Sequence, residues 1–161
     1  MVARSPYVID YRRSFHLEAP PEVVWEAIEH SERFELWWGW LESFHVEGPG
    51  LTAGAVLHGV VAPPVPYRMR LEVVLDECTR PSHIEATVHG DLEGQAKLTL
   101  DADGRGTRAE VSWTIEMTQR AMRVAARVAR PLLVWGHDRV VEMTVASFRR
   151  HLASNVQLGG G

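Results

Sequence analysis

Cysteine is nearly missing from this chain: its 161 residues contain one, Cys78. A lone thiol excludes an internal disulfide and any metal site built from several thiolates, and it accords with a reducing cytoplasm. Nothing around it marks it as a nucleophile. Long apolar runs are missing too, with none approaching the ~20 residues that a membrane helix needs. Met1 to Leu17 is interrupted by Arg4, Asp10, Arg12, Arg13 and His16, so no signal peptide is expected. Nor is there an excess of positive charge. A formal net charge of -4 gives no general attraction for phosphate backbones, which argues against nucleic acid as a partner. What remains is an ordinary globular composition, 45% apolar and 24% charged, in a length that suits one cytoplasmic, unanchored domain over 1–161.

Periodicity divides the chain into three stretches. From Val8 to Ala19, Ile9, Tyr11, Phe15 and Leu17 alternate with Asp10, Arg12, Ser14 and His16, which predicts a strand. After Pro20-Pro21, Val23, Val24, Ala27 and Ile28 recur at helical spacing. Ser31 offers an N-cap for a second short helix through Phe34, running into Trp37-Trp38-Gly39-Trp40. Alternation then returns, and predicts six strands at 41–47, 54–61, 67–79, 82–89, 92–101 and 107–117, each closed by Gly, Pro or Asp turns. In the later strands Tyr67, Met69, Leu71, Val73 and Leu75 share one face, as do Leu92, Gly94, Ala96, Leu98 and Leu100, and Ala109, Val111, Trp113 and Ile115. The opposite faces are polar, so one side of the sheet is wet.

The third stretch is helical from about Gln119 to Val156, broken or kinked at Pro131, with a flexible tail over about 155–161. Before the proline, Ala121, Val124, Ala125, Val128 and Ala129 form an apolar stripe and Arg120, Arg123, Arg127 and Arg130 fall on another side. After it, His137, Val141, Thr144, Val145, Phe148 and Leu152 follow helical spacing. An antiparallel sheet with one apolar face needs a cover, and only this helix is long enough to supply it. A straight helix cannot fill a strongly curved sheet, and small inward residues such as Ala86, Gly94, Ala96 and Ala109 leave further space. An apolar pocket is the expected result.

The order of strand, two short helices, six-strand meander and long helix resembles the α+β helix-grip fold of the START, Bet v 1-like and polyketide cyclase/dehydrase proteins. The local likeness is to the last group, carried by Phe15-His16-Leu17-Glu18-Ala19-Pro20-Pro21-Glu22-Val23-Val24-Trp25, by Gly106-Thr107-Arg108 and by Phe148-Arg149-Arg150-His151-Leu152. It covers nearly the whole chain. The resemblance implies a seven-stranded curved antiparallel sheet around the C-terminal helix and a hydrophobic guest, lipid-like or aromatic, between them. It transfers no catalytic motif, because this superfamily includes carriers, cyclases and receptors on one scaffold.

Several residues are candidates for contact with such a guest: Trp37, Trp40, His58, Tyr67, Met69, Leu71, Trp113, His137, Val141 and Phe148. His137 shares a helical phase with Val141, Thr144 and Phe148, so it is a polar anchor or general base in the pocket, or a histidine satisfied by a neighbour at the rim. Tyr67 either donates to a ligand oxygen or reaches water. His58 lies in a strand with two apolar faces and cannot be oriented. Trp37, Trp38 and Trp40 cluster where the short helices meet the pocket mouth, to stack on a ligand or to plug the core. No metal site and no cofactor are expected. His83, Glu85, Thr87 and His89 read as a solvated face, and Asp101-Ala102-Asp103-Gly104 as a hairpin turn, since a calcium loop would need Glu at Ser112.

The arginine row reads as a solvated helix face. Its companion alanines and valines are too small for stable membrane insertion, which leaves weak surface contact as the alternative. The functional expectation is therefore binding or transport of a small hydrophobic ligand by a monomer or homodimer. The alternatives are a cyclase/dehydrase-like enzyme using His137 or Tyr67, and a protein-interaction module docking through a strand edge or the tryptophans.

Overall fold

The computed structural model describes residue 5 and residues 7–30, 33–63 and 68–158, with the backbone alone for Trp37 and for 155–158. Its elements are β1 (Val8–Leu17), α1 (Pro21–Glu29), α2 (Phe34–Trp37), β2 (Leu41–Glu47), β3 (Val56–Val61), β4 (Met69–Thr79), β5 (His83–Gly90), β6 (Leu92–Asp103), β7 (Gly106–Met117) and α3 (Arg120–Leu158). The seven strands form one antiparallel sheet in the order β1-β7-β6-β5-β4-β3-β2, so β1 and β2 are its edges. This is the helix-grip arrangement expected from the order of elements. β1 stops at Leu17, two residues short of the expected Ala19, because the chain turns into Pro20-Pro21. Ser31, the expected cap of the second short helix, lies outside the described residues, and Arg33 occupies the N-cap position of α2.

Proline opens α1 in the usual way. Pro20 is extended, Pro21 needs no amide partner in the first turn, and the Val23 and Val24 amides donate to the Pro20 carbonyl at 3.0 and 3.1 Å. The buried face of α1 is Val24, Trp25 and Ala27. Burying an indole requires a partner for its N–H, and Glu29 supplies one a turn later, at 2.8 Å. Thr107 is fully buried, and its hydroxyl donates to the Ala19 carbonyl at 2.6 Å, tying the start of β7 to the end of β1.

The sheet's alternation has one interruption that matters. A bulge in β4 between Leu75 and Glu77 reverses the inward parity, so Met69, Leu71, Val73 and Leu75 face the interior and then Cys78, opposite Ile84, does so as well. In β6, Gly94 passes so close to β7 that a side chain there would overlap the Thr114 carbonyl. Only glycine permits that approach.

Helix α3 bends at Ala129, whose φ and ψ of -136° and 40° are not helical. Pro131 explains the bend, because it donates no amide hydrogen and crowds the carbonyl four residues earlier. The result is a first limb, 120–128, and a second limb that continues to Leu158, beyond the onset of the expected tail. The second limb packs Phe148 and Leu152 into a cluster with Leu17, Val24, Trp25 and Leu100. The first limb places Met122 and Ala126 in a separate cluster with Met69, Val88, Leu92 and Met117, which Leu133 joins from just beyond the bend.

The first limb departs from the expected stripe. Val124 and Val128 are 63% and 83% exposed, while Met122 and Ala126 face the sheet. Both sides of this limb are apolar, so periodicity alone does not choose between them. Its docking is set by arginines that reach back to the strands. Arg123 donates to the Met117 carbonyl at 2.9 Å, Arg127 to the Tyr7 hydroxyl at 2.5 Å, and Arg130 to the Val8 carbonyl at 3.3 Å.

Candidate functional site

Between sheet and helix lies a cavity of about 520 Å³. Its walls are the inner faces of the strands, the α1–α2 segment and both limbs of α3. Strand alternation supplies Met69 and Leu71 from β4, Val88 from β5, Ala96 and Leu98 from β6, and Val111 and Trp113 from β7. A second hollow of about 250 Å³ adjoins it, sharing Ile28, Phe34, Val73 and Leu98. Of the small residues anticipated from the sequence, Ala96 lines both hollows, Ala109 the larger and Ala86 the smaller, while Gly94 lines neither.

No Asp, Glu, Lys or Arg lines the larger cavity among the described residues. Its polar groups are few and mostly engaged. The Trp113 indole N–H donates to His137 Nε2 at 3.0 Å, and His137 Nδ1 lies 3.1 Å from Asp138 Oδ1. Because Nε2 accepts, the proton of a neutral imidazole belongs on Nδ1, donated to Asp138; the hydrogen-bond network assigns this tautomer. Thr144 donates its hydroxyl to the Val140 carbonyl at 2.7 Å, and its own carbonyl accepts from the Trp38 indole at 3.3 Å. Trp40 differs: its indole N–H is buried with no acceptor, and the ring lines the cavity, stacked on Trp38 at 5.5 Å.

Tyr11 does not line the cavity but packs against the Trp113–His137 pair. Its ring stacks on Trp113 at 4.6 Å and meets His137 edge-on at 5.0 Å. The hydroxyl is buried without a hydrogen-bond partner of normal geometry. Burial raises its pKa above the ordinary tyrosine value, and Arg13 nearby opposes that shift. Arg13 lies on the inward side of β1 by alternation with Tyr11 and Phe15, although it is exposed.

Of the residues singled out from the sequence, Trp40, Met69, Leu71, Trp113, His137, Val141 and Phe148 come together on the cavity wall. His58 does not. It lies on the opposite face of the sheet, stacked on His45 at 4.5 Å, with Nε2 3.1 Å from Glu47 and Nδ1 3.7 Å from Glu72. Alternation within β3 explains the outcome, because Leu57 and Val61 take the inward positions. Tyr67 lies outside the described residues, as does the side chain of Trp37. Phe15, Met122 and Leu133 are wall residues that were not singled out, and Trp38, expected with its neighbours at the pocket mouth, lines the wall as well. Phe15 was legible in the alternation of β1, whereas Met122 was hidden by the stronger-looking valine stripe beside it.

On the outer face, ligand atoms of Glu77, His83 and Glu85 lie within 4.8 Å of one another. Lys97 already binds Glu85 at 2.8 Å, and its hydrogen bond is the main reason the Glu85 pKa is lowered, with His83 contributing. Away from the cavity, Arg12 pairs with Glu110, Arg80 with Glu29 and Arg68 with Glu42. Such exposed pairs contribute little to stability. Cys78 has its pKa raised by burial and secondarily by Glu77, which keeps the thiol protonated and unreactive.

An apolar cavity gripped between a seven-stranded sheet and a bent C-terminal helix matches a known family. The model of the family described as "Polyketide cyclase / dehydrase and lipid transport" matches residues 8–153. The chain belongs to that family. None of the curated proteins compared with it matches. Solved structures share the fold at low identity. The Thermus thermophilus protein TTHA0849 is 19% identical with a TM-score of 0.72, over 91% of this chain and 99% of that one. The Zhui aromatase/cyclase from Streptomyces sp. R1128 is 13% identical with a TM-score of 0.74, over 96% and 99%. Ara h 8.0201 is 17% identical with a TM-score of 0.64, over 91% and 99%. This member of the polyketide cyclase/dehydrase and lipid transport family thus keeps its family's scaffold, and no helix among its described residues is long and apolar enough to cross a membrane.

Proposed function

We propose that this chain binds, and carries, one small, neutral, largely apolar molecule in the cavity under α3. The observation that supports this reading most directly is an uncharged lining around about 520 Å³, a volume in the range of small-molecule sites. A charged guest would lose its hydration without gaining an ionic partner, at a cost of several kcal/mol. Trp38, Trp40 and Trp113 on the wall favour a flat or aromatic guest, and the unpartnered Trp40 N–H favours one with a single acceptor oxygen. A cytoplasmic setting accords with this reading, because the half-buried Cys78 needs no oxidising compartment.

Native mass spectrometry and tryptophan fluorescence titration against lipid-like and aromatic compounds test the reading. Saturable uptake of one guest is expected. Replacing Ala96 with Trp, which fills the space from the sheet side, should abolish uptake while the chain still folds. Absence of uptake across both classes of compound would refute the proposal.

A second reading is an enzyme of the cyclase or dehydrase type, favoured by one feature: the His137–Asp138 pair sits on the cavity wall with a defined tautomer. For His137 to act as a base, Trp113 must first release Nε2. Turnover of a guest that persists in His137→Gln would remove His137 from any such mechanism.

A further inference from the structure

The first limb of α3 and the residues just past its bend carry apolar side chains on both sides. Met122 and Leu133 turn inward and line the cavity. On the outside, Val124, Val128, Leu132 and Trp135 are 63, 83, 49 and 52% exposed. Val124 with Val128 before the bend, and Leu132 with Trp135 after it, each recur at helical spacing and form the two halves of an exposed ridge on either side of Ala129. Isolated exposed apolar residues are common, but such a cluster marks a surface that meets something apolar.

Charge identifies the partner. Arg120, Arg123, Arg127 and Arg130 accompany the ridge, and no Asp or Glu occurs between Glu116 and Asp138. The row is held in place, not loose. The Arg123 guanidinium lies over the Tyr7 ring at 4.8 Å and reaches Glu116 at 3.2 Å, while Arg127 is tied to the Tyr7 hydroxyl. The chain as a whole carries -4, whereas the stretch from Arg120 to Trp135 holds four arginines and no acidic residue, so it is the stretch suited to an anionic surface.

We propose that the stretch from Arg120 to Trp135 docks on an anionic lipid bilayer. The ridge enters the headgroup region and the arginines meet the anionic headgroups, as in interfacial amphipathic helices. A second copy of the chain fits the same ridge less well. Two-fold pairing would set one arginine row beside the other, with no acidic side chain in either stretch to offset it. Docking presses the cavity's own cover against the bilayer, because Met122 and Leu133 form part of its inner wall. The exchange of a guest that this permits rests on the proposed binding function; the docking itself does not.

Flotation of the full chain with vesicles of phosphatidylcholine alone, or of phosphatidylcholine with phosphatidylglycerol, separates the two, since no guest is present. The chain should float with the phosphatidylglycerol vesicles at low salt and be released at high salt. Arg120→Gln should weaken partitioning about fivefold, and the double variant Leu132→Ser, Trp135→Ser roughly tenfold or more. Arg120→Gln should melt like the parent because its side chain is exposed, and a cooperative melt should show that the double variant, whose side chains are half exposed, still folds. Four results would overturn the proposal. They are no flotation at low salt, equal flotation on both vesicle types, variants that bind like the parent, and a dimer in sedimentation that the double variant dissociates. The last would assign the ridge to a second copy.

Discussion

The two limbs of α3 belong to one helix and do opposite things. The second limb buries Phe148 and Leu152 against α1 and β1, in a cluster that includes the nearly inaccessible Trp25, Val24 and Leu100. The first limb buries Met122 and Ala126 among other methionines and presents valines to solvent. Methionine is flexible and adapts its shape, whereas tryptophan and phenylalanine fix a packing arrangement. The difference teaches that one end of the grip packs on rigid rings while the other packs on adaptable methionines, and the cavity lies against both.

Substitutions break that comparison in graded steps. Trp25→Ala removes the largest fully buried side chain and leaves a cavity under α1, so thermal or urea denaturation should show a loss of about 3 to 5 kcal/mol. Leu133→Ala belongs to the methionine cluster, just beyond the bend, and borders space that already exists, so its loss should stay near 2 kcal/mol, the lower edge for such truncations. Equal losses at the two positions would erase the distinction. Thr107→Val leaves the buried Ala19 carbonyl without its donor and should cost about 1 to 3 kcal/mol.

Acid sharpens the comparison at the second limb. His151 has its pKa lowered by burial first, then by Arg33 and His30. The unfolded chain therefore binds this proton more readily. Stability should fall as the pH drops below the ordinary histidine value, and His151→Gln should flatten that slope in pH-dependent melts. A variant with an unchanged slope would assign the acid sensitivity elsewhere. The smallest effect is expected at Val128→Ser on the outer ridge, within about 0.5 kcal/mol of the parent in the same melts.

The fold was legible because alternation with a period of two and helical spacing rarely coincide. Strands β4, β6 and β7 each show a clean apolar face, and Pro131 announced the bend in α3. Two features escaped for physical reasons. The β4 bulge changes parity without leaving a mark in composition, so the inward turn of Cys78 is invisible in sequence. The first limb of α3 is apolar on two sides, and its orientation depends on where Arg123, Arg127 and Arg130 find oxygen partners in distant strands. The cavity wall was half legible for the same reason. Trp113, Met69 and Leu71 followed from alternation, whereas Met122 and Leu133 depend on how two elements meet. His58 could not be oriented from the sequence because Val56, Leu57, Val60 and Val61 give β3 no polar side to point outward.

The chain from Trp113 through His137 to Asp138 has a mechanical consequence. It spans from β7 to the second limb of α3, so the imidazole works as a strut whose two ends are both pinned. A visitor able to offer Nε2 a better donor than the indole would unpin one end, and the wall at that corner would then answer to the hydrogen-bonding appetite of whatever had arrived.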